Sequence, residues 1–156
     1  GSYAVQIEYG GIYDFKHCTF YNDGSRYLNH DKATLRASNY FIDANNQANL
    51  ADLDLRLRNS IVYGNRDDEL NLDSISGTVY NINFDNCFVK NEEPLFVPYL
   101  NNSQINIDPE FFNSNEDTLS LQMTSPCIDA GLNLGVLTDV NGNMRDANPD
   151  IGAYEF

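Results

Sequence analysis

At 156 residues the chain has room for one domain with a core and too little for two of ordinary size. Its 23 acidic against 9 basic side chains leave a net charge of −14, which repels phosphate backbones and anionic headgroups, so no nucleic acid or membrane-surface partner is expected. Twenty-two Asn, ten Gly, ten Tyr and nine Phe, with three Lys and no Trp, disfavour helix and suit turns and aromatic-rich strands, and no run of about 18 apolar residues is present to insert in a membrane.

Gly1-Ser2 reads as an expression scar ahead of a strand-like run, YAVQIEY, so a signal or anchor is expected upstream of this segment. Three later segments then superpose: Phe15-Lys-His-Cys18-Thr-Phe20, Leu57-Arg-Asn-Ser60-Ile-Val62 and Phe84-Asp-Asn-Cys87-Phe-Val89. Each has a large apolar residue, a small one three positions on, and another apolar residue two positions after that. An Asn follows each copy, at Asn22, Asn65 and Asn91, with Gly64 as one extra residue in the middle copy.

This is the pattern of a β-solenoid, in which inward residues of successive rungs stack and the same size class must recur. Phe15, Leu57 and Phe84 form one expected column, and Cys18, Ser60 and Cys87 a second that admits only small side chains. The recurring Asn suits a sharp corner, since it tolerates left-handed backbone. His17 stands where the other copies have Asn59 and Asn86, so it is expected to share their structural role. Further strand-like runs span 33–41 and the alternating Leu53, Leu55 and Leu57. The 42 residues from Phe15 to Leu57 and 27 from Leu57 to Phe84 imply loops in both intervals and room for an extra rung in the longer. Asn, Asp and Gly clusters at 21–31, 43–49, 63–70 and 90–94 mark the loops.

The three cysteines are odd in number. Two rungs put Cys18 and Cys87 about 9 to 10 Å apart, beyond the disulfide reach of about 7 Å. Both, with Cys127, are expected as small buried core residues.

From Asp108 the pattern changes. Asp108-Pro-Glu-Phe111, Leu119-Ser-Leu121, Ser125-Pro-Cys-Ile-Asp-Ala-Gly131, Asp139-Val-Asn-Gly142 with Arg145, and Asp150-Ile-Gly-Ala-Tyr-Glu155 resemble the shared ending of bacterial right-handed parallel β-helix repeat proteins of the choice-of-anchor Q domain type. Upstream, NSIVYGNRDDEL resembles the rung that commonly precedes that ending. The resemblance implies an all-β, pectin-lyase-like right-handed parallel β-helix, exported, extracellular or at the cell surface, with a loose link to polysaccharides. It implies rungs with inserted loops over 3–104 and a terminal rung and cap over 105–156, within a single domain. In that cap Asp139 and Gly142 shape a turn, and Arg145, near Asp150, pairs with an acidic neighbour.

Candidate sites follow. Asp139, Asn141 and Asn143, with Asp146 and Asp150 nearby, place oxygen ligands at alternate positions as a calcium loop does, although Gly142 falls between the last two. Asp67, Asp68 and Glu69 form an acidic loop beside Arg66, and clustered carboxylates are what glycoside hydrolysis uses. Lyase chemistry needs a Lys or Arg base beside carboxylates. Lys16, Arg56 and Arg58 lie in or beside rung strands, but no carboxylate cluster is tied to them in the sequence. Tyr21, Tyr27, Tyr40, Tyr63 and Tyr99 exceed what a narrow core needs and are candidate glycan contacts. The expected function is a non-catalytic surface module touching a polysaccharide or cell-surface partner. The alternatives are the C-terminal part of a polysaccharide lyase or glycoside hydrolase, and an adhesin or assembly component.

Overall fold

The computed structural model describes residues 2–23, 30–95, 99–113 and 118–156. The protein is all-β, with no α-helix among these residues. Among the described residues the chain visits three sheets in a fixed order, three times in full and a fourth time in part. The first pass is β1 (Val5–Ile7), β2 (Gly11–Lys16) and β3 (Thr19–Asn22). The second begins with β4 (Leu35–Ser38), is interrupted by an antiparallel hairpin of β5 (Tyr40–Ile42) and β6 (Ala48–Leu50), and continues as β7 (Leu53–Arg58) and β8 (Ile61–Gly64). The third is β9 (Leu70–Asp73), β10 (Tyr80–Asp85) and β11 (Phe88–Val89). The fourth contributes only β12 (Leu100–Asn101) and β13 (Gln104–Ile105), before a second antiparallel pair, β14 (Phe111–Asn113) and β15 (Thr118–Leu121). The sheets are β1-β4-β9, β2-β7-β10-β12 and β3-β8-β11-β13, and every pairing within them is parallel.

In the second sheet Phe15, Leu57, Phe84 and Leu100 stand in register, so the three superposed segments stack and a fourth joins them. That fourth copy, Leu100-Asn-Asn-Ser103-Gln-Ile105, has the same spacing and ends on Asn106. The Phe15 to Leu57 interval holds β3, β4 and the β5–β6 hairpin, and among the described residues no extra rung.

Alternation decides the core. Leu53, Leu55 and Leu57 point inward with Ile82, Phe84, Leu35, Ala37, Val62 and Val89, all buried, while their neighbours in sequence face out. Leu57, fully buried between two phenylalanines of adjacent passes, is the centre of this column.

The bend from the second sheet to the third repeats in detail. His17, Asn59, Asn86 and Asn102 all take left-handed backbone, with φ of 52°, 48°, 51° and 51°. The amides of the first three donate to the next pass: His17 N to Arg58 O, Asn59 N to Asp85 O and Asn86 N to Asn101 O, each at 3.0 Å. The small residue after the bend has its own reason. Ser60 Oγ accepts the Cys18 amide at 3.1 Å, and Ser103 Oγ the Cys87 amide at 3.0 Å, which a larger side chain would block.

The expected Asn column at the opposite corner is only partly formed. Asn91 is buried and exchanges bonds with Asn106, whose Oδ1 accepts the Asn91 amide at 2.8 Å and whose Nδ2 donates to Asn91 O at 3.0 Å. Asn22 registers with Gly64 instead of Asn65, and Asn65 is exposed. The extra residue Gly64 makes room for the buried Glu69 carboxylate, which a Cβ there would meet at 2.2 Å.

The described residues after Asn106 lie along a flank of the stack. Phe111, Leu121, Cys127 and Ile151 pack on Ile61 and Phe88, the outward residues of the third sheet, with Tyr21 and Tyr63 beside them. Consecutive apolar residues in β8 and β11, Ile61-Val62 and Phe88-Val89, meet this need, because both faces of that sheet are covered.

Truncating the centre of the inward column tests this packing. Leu57→Ala is expected to lower unfolding free energy by about 2–5 kcal/mol in urea titration, whereas Ile12→Ala, at an 88% exposed position of the same sheet, changes it by no more than about 0.5 kcal/mol.

Candidate functional site

The residues that alternate with the inward column build an outward face on the second sheet. Register sets them in rows: Ile12, Asp54 and Asn81; Asp14, Arg56 and Asn83; Lys16, Arg58, Asp85 and Asn101. Three of the chain's 9 basic residues therefore lie on one face of a protein of net charge −14. Arg58 meets Asp14 in a two-pronged pair, Nε to Oδ1 at 3.0 Å and Nη2 to Oδ2 at 2.5 Å, although the two residues are 44 positions apart. Arg56 Nε pairs with Asp54 Oδ1 at 3.2 Å, Lys16 lies 3.7 Å from Asp14, and Asn101 Nδ2 donates to Asp85 Oδ1 at 3.0 Å. The sequence ties no carboxylate cluster to Arg56 and Arg58, and the structure sets Asp54 and Asp14 against them. Parallel register brings Asp14 to Arg58, and period-two alternation brings Asp54 to Arg56.

The hydrogen bonds from Arg58 hold the Asp14 carboxyl below the usual carboxylate range. Such solvated pairs add little stability, about 0–1 kcal/mol each, but they fix the side chains in one array. A cleft of about 450 Å³ opens over this array, lined by Asp54, Arg56, Asn83, Asp85, Tyr80 and Tyr99. Asn83 Oδ1 is buried there without a hydrogen-bond partner among the described residues. Tyr80 and Tyr99 form the rim, ring edge to face at 6.4 Å. Burial raises the Tyr80 phenol, whose hydroxyl donates to Ala37 O, so Tyr80 braces the sheet, while Tyr99, partly packed on the core cluster, lines the cleft beside it.

The other tyrosines are placed elsewhere. Tyr21 stacks edge to face on Phe111 at 5.5 Å, and Tyr63 packs in the same flank cluster with the Lys90 ammonium 5.6 Å from its ring centre. Tyr40 is on the β5–β6 hairpin and its hydroxyl donates to Asp73. Tyr27 lies outside the described residues.

The acidic loop does not present three free carboxylates. Glu69 is fully buried, where its oxygens accept the Thr34 amide at 2.9 Å, the Thr34 hydroxyl at 2.7 Å and the Arg66 amide at 2.8 Å, with His30 Nε2 at 3.4 Å. Asp68 Oδ1 accepts the Glu93 amide, while Asp67 is exposed. At Asp139, Oδ1 accepts the amides of Asn141 and Asn143 at 2.8 Å, and Oδ2 the Asn143 side-chain amide and the Glu155 amide at 3.1 Å. Burial pushes this carboxyl up, and the Glu155, Asn143 and Asn141 donors outweigh it, leaving the group below its ordinary range. Four donors occupy the four acceptor sites of a carboxylate, so the local geometry is a turn. Among the described residues no three His, Cys, Asp or Glu side chains are grouped to hold a metal, and no helix is long and apolar enough to cross a membrane.

The flank segment is held by a buried polar cluster. Arg145 pairs with Glu155 at 2.8 Å and donates to Gly152 O at 2.9 Å. Asp150 Oδ1 and Oδ2 accept the amides of Asp129 and Phe156, and burial raises its carboxyl. The segment's backbone reaches the bend residues directly: Asn59 donates to Leu132 O at 2.6 Å and accepts from Leu132 N at 3.0 Å, and Asn86 donates to Ala130 O at 3.3 Å. His17 lies between these groups, its Nδ1 3.0 Å from Asp150 O and its Nε2 3.0 Å from Asn59 Nδ2. A carbonyl on one side and an amide donor on the other define a neutral ring with its proton on Nδ1. Desolvation, then the Arg145 charge, lower His17 to about 4. The cysteines are unpaired; burial lifts Cys87 and Cys127 to about 12, while Cys18, on the first pass, is half-buried.

No family model matches the chain, and neither does any curated protein or solved structure compared with it.

The His17 geometry fixes the sign of a pH effect. Its folded value lies below the ordinary 6.5, so the unfolded chain binds the extra proton first and stability falls as pH drops from 6.5 to about 4. The full loss is on the order of 3 kcal/mol. His17→Asn keeps a residue suited to left-handed backbone, and comparison of urea midpoints at pH 7 and pH 4.5 is expected to show a smaller loss for the variant than for the natural chain.

Proposed function

We propose that the chain is the C-terminal stretch of a right-handed parallel β-helix from an exported bacterial surface protein, and that it is a non-catalytic module contacting glycans along the outward face of its second sheet. The three sheets are then the faces of successive coils, and residues 105–156 a terminal segment covering one flank. The residues that resemble the β-helix surface family carry the export and surface parts of this reading. The observation that carries the binding part is the array of Arg56, Asn81, Asn83, Asp85 and Asn101 across adjacent passes, with Tyr99 at its rim. Planar amides and a guanidinium supply donors and acceptors at the strand spacing of about 4.8 Å, close to what a chain of sugar hydroxyls needs, and an aromatic rim supplies a stacking surface.

A second reading has its own observation: Arg56 and Arg58 share this face with Asp14, Asp54 and Asp85, the residue types of polysaccharide lyases and hydrolases. Against it, Arg58 is gripped by both Asp14 oxygens, and a base must be free to receive a proton. Asp14, lowered by the same contact, is a poor general acid.

A glycan array followed by calorimetric titration of the best oligosaccharide tests the proposal. Arg56→Ala and Asn83→Ala are each expected to weaken binding about fivefold or more, near 1 kcal/mol, and Asp146→Ala on the far loop to leave it unchanged. Absence of any glycan ligand, or equal weakening by all three, contradicts the proposal; unsaturated uronate products from an acidic polysaccharide favour the lyase reading.

A further inference from the structure

The bend ladder carries one side chain that can take up a proton. Asn59, Asn86 and Asn102 cannot, whereas His17, at the same left-handed position of the first pass, can. An unbroken chain of hydrogen bonds joins His17 to the flank segment. Asp150 O lies 3.0 Å from His17 Nδ1, and Asn59 Nδ2 lies 3.0 Å from His17 Nε2. The Asn59 amide then closes on Leu132, Nδ2 donating to Leu132 O at 2.6 Å and Oδ1 accepting from Leu132 N at 3.0 Å.

The donors and acceptors of the Asn59 amide are committed on both sides. The two hydrogens of Nδ2 go to His17 Nε2 and Leu132 O, and Oδ1 receives the Leu132 amide. A proton on His17 Nε2 sets a second N–H against Nδ2, donor facing donor. Turning the Asn59 amide over gives Nε2–H an acceptor. The same turn sets Oδ1 against Leu132 O and Nδ2 against Leu132 N–H, which breaks both bonds to the flank. Asn59 is fully buried, and a Cβ on the adjoining Gly131 would come 3.0 Å from Nδ2, which leaves little space for a bridging water.

Charges on three elements surround the ring. From the flank, the Arg145 guanidinium opposes a proton on His17 and Glu155 favours it, with Arg145 the stronger, while the Asp150 carboxylate is taken by the amides of Asp129 and Phe156. From the second pass, Arg58 meets the His17 amide through its carbonyl, and its guanidinium is held by Asp14. Beside His17 in the chain, the Lys16 ammonium lies 3.7 Å from Asp14, and the Cys18 thiol donates to Lys16 O at 3.5 Å. A cavity of about 430 Å³, lined by Lys16, His17, Asp139 and Arg145 among others, opens beside the ring and gives a proton a route to it.

We propose that His17 is an acid-operated latch: neutral, it holds the Asn59 amide in the orientation that docks Leu132, and protonated, it turns that amide and frees the flank segment around Leu132 from the bend ladder. Desolvation, then Arg145, hold the docked ring to about 4, and a freed ring returns toward the ordinary 6.5. Undocking therefore takes up a proton and is favoured as pH falls through that interval.

Amide exchange followed by NMR on the full chain, with rates corrected for intrinsic exchange, tests the latch. Between pH 7 and pH 4.5 protection of the Leu132 amide is expected to fall about tenfold or more. Protection of the Phe88 amide, bonded to Ser60 O, is expected to hold within about twofold. His17→Asn gives the first bend the residue of the other three, and is expected to abolish the fall at Leu132. The imidazole nitrogen shifts need no variant: the proton is expected on Nδ1 at pH 7, and the Asn59 side-chain amide signals are expected to move with the midpoint of the ring. An equal fall at Leu132 and Phe88, a fall that persists in His17→Asn, a proton on Nε2 at pH 7, or a ring that titrates with the Asn59 amide unmoved would overturn the proposal.

Discussion

At one bend of every pass the backbone must turn through left-handed space, and it does so at His17, Asn59, Asn86 and Asn102. Asn is the side chain other than Gly that tolerates this region best, because its short amide bonds locally. The turn aims the amides of His17, Asn59 and Asn86 at carbonyls of the next pass, so the second and third sheets stay in register from the first pass to the fourth. It also throws the bend side chains outward as a polar ladder, and the flank segment docks on them through Leu132 and Ala130. Tight contact there requires a missing side chain: a Cβ on Gly131 would come 2.5 Å from Pro149 O and 3.0 Å from Asn59 Nδ2.

The two outer faces beside this bend are treated differently. The third sheet is apolar outside as well as inside, and the flank segment buries it, with Arg145, Glu155 and Asp150 as a buried polar seam beneath. The second sheet is charged and amide-rich outside and stays open to solvent. A sheet whose outward face is neither apolar nor covered has that face left for recognition, which is why the proposed glycan contact lies on the second sheet while Tyr21 and Tyr63 belong to packing.

The inward column was legible because stacked positions must repeat a size class: Phe15, Leu57 and Phe84 stand out at matching distance from Cys18, Ser60 and Cys87. The fourth copy, Leu100 to Ile105, obeys the same rule but follows after 16 residues, with polar Asn101, Asn102 and Gln104 between its apolar ends, so its periodicity is faint. The cover on the third sheet has a trace in the sequence, since Ile61-Val62 and Phe88-Val89, apolar on consecutive positions, mark a strand buried on both faces. Glu69 was unreadable in principle: inside an acidic run it looks solvated, and its partners, the Thr34 amide and hydroxyl, come from 35 positions away. The Asp14–Arg58 pair was hidden likewise, since only the register of β2 on β7 makes neighbours of them.

The stacking of the bends is open to direct observation in solution. In uniformly 15N- and 13C-labelled protein, scalar couplings across hydrogen bonds should connect His17 N to the Arg58 carbonyl, Asn59 N to that of Asp85, and Asn86 N to that of Asn101. Those three connectivities together establish parallel passes in this register. Couplings displaced by a residue, or bend amides that exchange as freely as loop amides and show none, would contradict the account.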